Sequence, residues 1–175
     1  VLIDASKPTH GTFQREIFKS IKRADLVLLT KGDNESILLL KNKLTEKYAF
    51  PTHEAKTITG KHVIDQKGKS TSIEDIRKKS ALVFSGLGNN KSFNNTIKAL
   101  GINIVTSMNF KDHHNYSEND LKSIAEKYQK SNSDIILTTE KDLIKLPHMA
   151  LPIFSIPISV EISSKIIGFI TEKLK

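Results

Sequence analysis

The chain has 175 residues, 38% hydrophobic and only 6% aromatic, without tryptophan; that length suits one substantial core, or one domain plus part of another. The absence of cysteine excludes disulfides, thiolate catalysis and cysteine metal sites and fits a reducing compartment, and no apolar run approaches the roughly 20 residues of a membrane-spanning helix. A formal net charge of +8, spread along the chain, reads either as a plain solvated basic surface or as attraction to phosphates or an anionic membrane surface, whereas nucleic acid is less supported because no aromatic residues interleave with the basic runs as a stacking surface.

Val1-Leu2-Ile3 reads as a short buried strand ending at Asp4. The chain opens on this strand, without Met or a signal peptide, and so reads as a piece of a longer protein. Phe13, Ile17, Phe18, Ile21 and Ala24 follow helical spacing, and Leu26 to Leu29 is a continuous apolar run of the kind found in a strand covered on both faces. Asp33 or Asn34 is placed to cap a helix with the stripe Ile37, Leu40, Leu44 and Tyr48. Pro51 to Ser80 breaks the pattern: Thr57 to Asp65, around Gly60, predicts a hairpin on the sheet edge, and Gln66 to Thr71 a loop. Ala81 to Phe84 is a strand, followed by a helix face of Phe93, Ile97 and Leu100 that Gly101 ends. Ile102 to Val105 returns as a strand, and Ser117 caps a helix carrying Leu121, Ile124, Ala125 and Tyr128. Asp134 to Leu137 and Pro152 to Ile156 are further strands, with a short helix after Thr139, and Ile166, Ile167, Ile170 and Leu174 mark a closing helix. This alternation predicts a mainly parallel three-layer α/β/α (Rossmann-like) sheet with an antiparallel edge hairpin.

Four constellations carry candidate chemistry. Ser85-Gly86-Leu87-Gly88-Asn89-Asn90 is a glycine-rich turn between strand and helix, suited to an anion or simply to a tight turn that needs glycine geometry; it lacks the third glycine and the acidic partner of a dinucleotide fingerprint. Thr138-Thr139-Glu140-Lys141-Asp142 follows a strand, so Thr139 and Lys141 are placed either to hold a phosphate or, with the flanking acids, to cap the next helix. Arg15-Glu16 suits phosphate and metal contacts, or a solvated helix face. Asp112-His113-His114 ends a strand, where α/β proteins gather catalytic groups. It leaves open a metal site, a His–carboxylate pair beside a phosphate, or a plain loop.

The order of these motifs, Arg15-Glu16, Arg23-Ala24-Asp25, Phe84 to Asn89, Phe110 to His114, then Thr139 to Asp142 with Lys145, resembles the C-terminal half of the tetraacyldisaccharide 4′-kinases, the lipid A kinases of Gram-negative bacteria. The resemblance runs over essentially the whole chain and is weakest from Pro51 to Ser80. It implies residues 1–30 as the end of an N-terminal kinase core and its connection, 31–160 as a C-terminal α/β domain, and 161–175 as the closing helix. It also implies ATP and Mg²⁺ as cofactors and transfer of the γ-phosphoryl group to the 4′-hydroxyl of an anionic lipid A precursor, with peripheral association at the cytoplasmic face of the inner membrane. Asp112 and His113 would carry the catalytic Asp-His pair, and Arg15 and Glu16 the pair near substrate and metal. The chain departs from the family pattern at Lys111 and Ile17, where proline is usual, and contains no Gly-x-x-x-x-Gly-Lys-Ser/Thr loop. By itself it should therefore neither bind ATP in the usual way nor turn over; a phosphate-loop domain is the missing partner. Two rivals from other classes are a non-catalytic α/β binding module and a metal-dependent phosphoesterase of the Asp-His-His type, although no Asp-x-Asp motif accompanies the triplet.

Overall fold

A computed structural model describes residues 2–5, 18–30, 34–48 and 52–174. Arg15 and Glu16 lie outside the described residues. The chain divides into two units, Val1–Ile58 together with Ser159–Lys175, and Thr59–Ile158.

In the first unit, β1 (Leu2–Asp4), β2 (Val27–Thr30) and β3 (Thr52–Glu54) form a parallel sheet in the order β1-β2-β3, with a 3₁₀ turn (Phe18–Arg23) and α1 (Asn34–Tyr48) between them. Val27 and Leu29 are fully buried, and the α1 stripe Ile37, Leu40 and Leu44 packs with them, Ile3, Ala5 and Ile21 in one core. α1 thus shares one core with β1 and β2, within the unit whose first segment ends at Ile58. Leu2 is exposed, so the first strand is buried only at Ile3.

After β4 (Lys56–Thr59), the second unit holds β5 (His62–Asp65), β6 (Ser70–Ser72), α2 (Ile73–Ile76), β7 (Ser80–Ser85), α3 (Asn90–Ala99), β8 (Asn103–Asn109), α4 (Glu118–Lys130), β9 (Ile135–Thr139), α5 (Glu140–Leu143) and β10 (Ile153–Ile156); β11 (Ile158–Glu161) begins at its last residue, and α6 (Ser164–Lys173), within the first unit, closes the chain. Six strands pair in the order β6-β5-β10-β9-β7-β8. β10, β9, β7 and β8 run parallel, while β5 and β6 add an antiparallel hairpin at one edge. The expected architecture is therefore present. The hairpin, however, turns at Asp65–Lys69 and not around Gly60. Asp65 Oδ1 accepts from the N–H groups of Lys67 and Lys69, both at 2.8 Å, and Gly68 takes φ 80°, a conformation that favours glycine. β4 instead pairs with β11.

Strand periodicity sorts the core of this unit onto two faces. Ala81 and Val83 of β7 and Ile135 and Leu137 of β9 pack with Ile73 and Ile76 of α2 and Phe93 and Ile97 of α3. The alternate residues Leu82, Phe84 and Ile136 pack with Ile124 of α4, Leu143 and Leu146. With both faces covered, β7 and β9 read as unbroken apolar runs. Of the predicted α6 stripe, Ile166 is buried and Ile167, Ile170 and Leu174 are exposed. Among the described residues no helix is long and apolar enough to cross a membrane.

Candidate active site

The carboxyl ends of β7, β8 and β9 deliver three of the four constellations to one place. Parallel pairing aligns Ser85 with Asn109, and the ladder continues as the Phe110 N–H donates to Ser85 O at 3.0 Å. Asn90, at the start of α3, ties the ends together. Its Oδ1 accepts from the Ser85 hydroxyl at 2.5 Å and from Leu87 N–H at 3.3 Å, and its Nδ2 donates to Phe110 O at 3.2 Å.

The loop after β8 then folds back on the glycine turn. His113 N–H donates to Gly86 O at 3.2 Å, and His114 N–H to Lys111 O at 3.1 Å. His113 takes φ 57°, in the left-handed region, uncommon for a residue with a Cβ; the other described non-glycine residue with positive φ is Asn132. The consequence is an imidazole turned outward: the His113 side chain is 84% exposed and that of Asp112 58%, with Nε2 and Oδ2 4.0 Å apart. That separation is long for a hydrogen bond in this state.

His114 is placed differently. Its ring stacks on Phe110 at 4.8 Å and 27°, meets Tyr116 edge-on, and its Nε2 lies 3.0 Å from Asp120 Oδ2. Lys145 Nζ donates to His114 O at 3.1 Å. His114 therefore anchors the loop whose neighbouring residues, Asp112 and His113, project outward. Phe84, Phe110 and Tyr116 form the apolar floor beneath it in edge-to-face contact.

Asp120 joins this anchor to α4 through a capping box with Ser117. Its carboxyl is held down at about 2 by the Ser117 hydroxyl first, then by the Ser117 N–H and His114. The folded value lies below the ordinary one of about 3.9, so the stability this group confers is present above about pH 4 and lost as pH falls towards 2. Urea unfolding of wild type and Asp120→Asn should show a stability gap near pH 5 that closes towards pH 2. A gap of constant size would mean that the Asp120 charge contributes nothing.

The segment after β9 supplies the third wall. Thr139 is buried and caps α5: its hydroxyl accepts from Asp142 N–H at 3.1 Å and donates to Asp142 Oδ2 at 2.7 Å. Both contacts lie within the cap of α5, while Lys141 is exposed. Asp142 reaches across the sheet to accept from Gly86 N–H at 3.0 Å. Sequence reading placed Asp142 only as a charge favoured near a helix start. The pairing with a residue 56 positions away has no local signature. Burial, followed by the Asp142 charge, pushes the Tyr116 phenol up. The two glycines serve clearance rather than torsion, since neither has a positive φ. A Cβ at Gly86 would lie 3.0 Å from Asp142 Oδ1 and 3.2 Å from His114 Cβ, while one at Gly88 would stand 3.4 Å from Asp112 Oδ2.

Among the described residues no group of three or more His, Cys, Asp or Glu side chains gathers as a metal site. A separate open depression of about 470 Å³, lined by residues including Gln66, Leu143 and His148, involves neither Asp112 nor His113.

The family model described as tetraacyldisaccharide-1-P 4′-kinase (LpxK) matches residues 11–175. Curated relatives called tetraacyldisaccharide 4′-kinase include one from Pelagibacter ubique, 32% identical over 155 residues, which cover 86% of this chain and 45% of the relative. Another, from Aquifex aeolicus, is 31% identical over 132 residues, 75% of this chain and 36% of the relative. The crystal structure of "apo" form LpxK from Aquifex aeolicus in complex with ATP superposes with a TM-score of 0.57 at 26% identity, covering 90% of this chain and 45% of that one. The chain thus spans less than half the length of these relatives. With the family model matching nearly its whole length, the chain belongs to the tetraacyldisaccharide 4′-kinase family.

Proposed function

We propose that the full-length protein transfers the γ-phosphoryl group of ATP to the 4′-hydroxyl of a tetraacyldisaccharide 1-phosphate, a step of lipid A biosynthesis, and that this chain contributes Asp112 and His113 to the reaction. Family membership supports the reaction class. The single observation that carries the residue assignment is His113, an exposed imidazole on a left-handed backbone at the carboxyl ends of parallel strands, with a carboxylate beside it. Unusual backbone conformations persist where the surroundings impose them, and they cluster at functional sites. Phosphoryl transfer is mostly positioning and charge stabilisation, so a presented Asp-His pair is suited to orient the sugar hydroxyl and ease departure of its proton.

The described residues fit only part of the site that ATP and Mg²⁺ require. Asp112 offers one hard oxygen donor suited to Mg²⁺, but no three-ligand group accompanies it among the described residues, and the chain has no phosphate loop. Binding of the triphosphate and its metal falls, on this reading, to parts of the full-length protein outside this chain, with Arg15 and Glu16 near substrate and metal. The net charge of +8 supports peripheral attachment to the anionic inner-membrane surface on its cytoplasmic face, where the anionic lipid precursor would be met.

The test uses the full-length protein with ATP labelled in the γ-phosphoryl group, Mg²⁺ and tetraacyldisaccharide 1-phosphate in mixed micelles. Label is expected at the 4′ position of the disaccharide. Release of label to water alone, or none transferred to lipid, would count against the reading.

A further inference from the structure

We infer that Asp142 is a positioning residue that presents His113 through the backbone of Gly86. The inference builds on the proposed role of His113, though its structural half stands separately. Asp142 is 1% exposed. A buried carboxylate is costly unless its hydrogen bonds compensate. Capping of α5 does not need it, because the Thr139 hydroxyl already accepts the Asp142 N–H. What the carboxylate adds is reach. Oδ2 takes the Gly86 N–H at 3.0 Å while the Thr139 hydroxyl, donating at 2.7 Å, holds that oxygen in place.

On its other side, the Gly86 carbonyl accepts the His113 N–H at 3.2 Å. The two bonds hold the successive peptide groups on either side of the Gly86 Cα: Asp142 pins the plane that carries the N–H and so narrows the range open to the next, whose carbonyl holds the His113 N–H where φ is 57°. Without the grip the turn is free to relax, and a non-glycine residue leaves the left-handed region. The second carboxylate oxygen, Oδ1, is buried, and the Tyr116 hydroxyl, likewise buried, interacts with the Asp142 side chain; Oδ1 stands 3.0 Å from where a Cβ on Gly86 would lie. A side chain at position 86 would therefore displace the carboxylate that holds its N–H. Asp142 touches neither Asp112 nor His113 through any side-chain bond in the structure; its effect is carried by the backbone.

The experiment pairs a kinetic double-mutant cycle with amide hydrogen exchange in the full-length protein, using Asp142→Ala, which removes the acceptor oxygen, and His113→Ala. Asp142→Ala should lower kcat by about tenfold to a hundredfold, the scale expected for sub-ångström to ångström misplacement, with KM for ATP within about twofold. In a His113→Ala background the same substitution should cause no further loss. The amides of Gly86 and His113 should lose protection together. Losses that multiply in the double variant, or full protection of the His113 amide in Asp142→Ala, would overturn the inference. If His113→Ala leaves turnover unchanged, the proposed role of His113 fails, and the exchange measurement alone still decides whether Asp142 holds its backbone. Should Asp142→Ala not fold, as judged by circular dichroism, Thr139→Val removes the hydroxyl that fixes Oδ2 and should give the same coupled loss of protection.

Discussion

Gly86→Ala should destabilise the protein by on the order of 2–3 kcal/mol, although the change adds a single methyl group. The methyl has nowhere to go. It would stand 3.0 Å from Asp142 Oδ1, 3.2 Å from His114 Cβ and 3.3 Å from Lys111 O. None of the three yields easily. Asp142 is fixed by Thr139 and Gly86, His114 by Phe110 and Asp120, and the Lys111 carbonyl by the His114 N–H. Relief would break the buried bond from Gly86 N–H to the carboxylate, a charged acceptor whose loss is worth more than that of a neutral one. Gly68 provides the control. Its φ of 80° strains any side chain, yet nothing lies within 4 Å of a Cβ there, so Gly68→Ala should cost only about 1 kcal/mol. Thermal unfolding of the two variants separates crowding from torsion. Each kcal/mol corresponds to roughly 4–8 °C for a unit of this size. Equal losses at the two positions would remove the contact with Asp142 from the explanation.

The strands and helices of the second unit were legible because both local signals were strong. Ala81 to Phe84 and Ile135 to Leu137 are apolar without interruption, and the parallel sheet covers both their faces. Ser117 and Thr139 read as caps because a hydroxyl three residues before an acid has a local partner, and both make that bond. The edge hairpin was expected at Gly60 because glycine signals a turn, but the Gly60 N–H donates to Pro157 O at 2.8 Å. The Asp65-to-Gly68 spacing, with a side chain able to close its own turn, was the better local signal. Helix α1 buries Ile37, Leu40 and Leu44 yet exposes Leu38 and Leu39, so its own sequence does not say which strands it covers.

The site shows the same division. Asp112, His113 and the glycine turn stood out by residue type at strand ends. The bonds that organise them did not. Gly86 to Asp142 spans 56 positions and Asn90 to Phe110 spans 20, so only folding reveals them. His114 and His113, adjacent and chemically identical in sequence, are separated by a backbone angle: one ring is stacked and bonded, the other is turned to solvent.

That difference makes His113→Ala the most direct test of the central claim, that this end of the sheet completes a kinase site around His113. The side chain is 84% exposed, and the left-handed backbone costs alanine about what it already costs histidine, so thermal stability should change little. Turnover should fall far more. Loss of a group positioned to assist proton transfer removes about a hundredfold or more from the rate. The measurement is kcat for transfer of labelled γ-phosphoryl from ATP to tetraacyldisaccharide 1-phosphate by the full-length protein, wild type against His113→Ala, at equal folded fraction. A drop of about a hundredfold with near-native stability is the predicted result; unchanged turnover would contradict it.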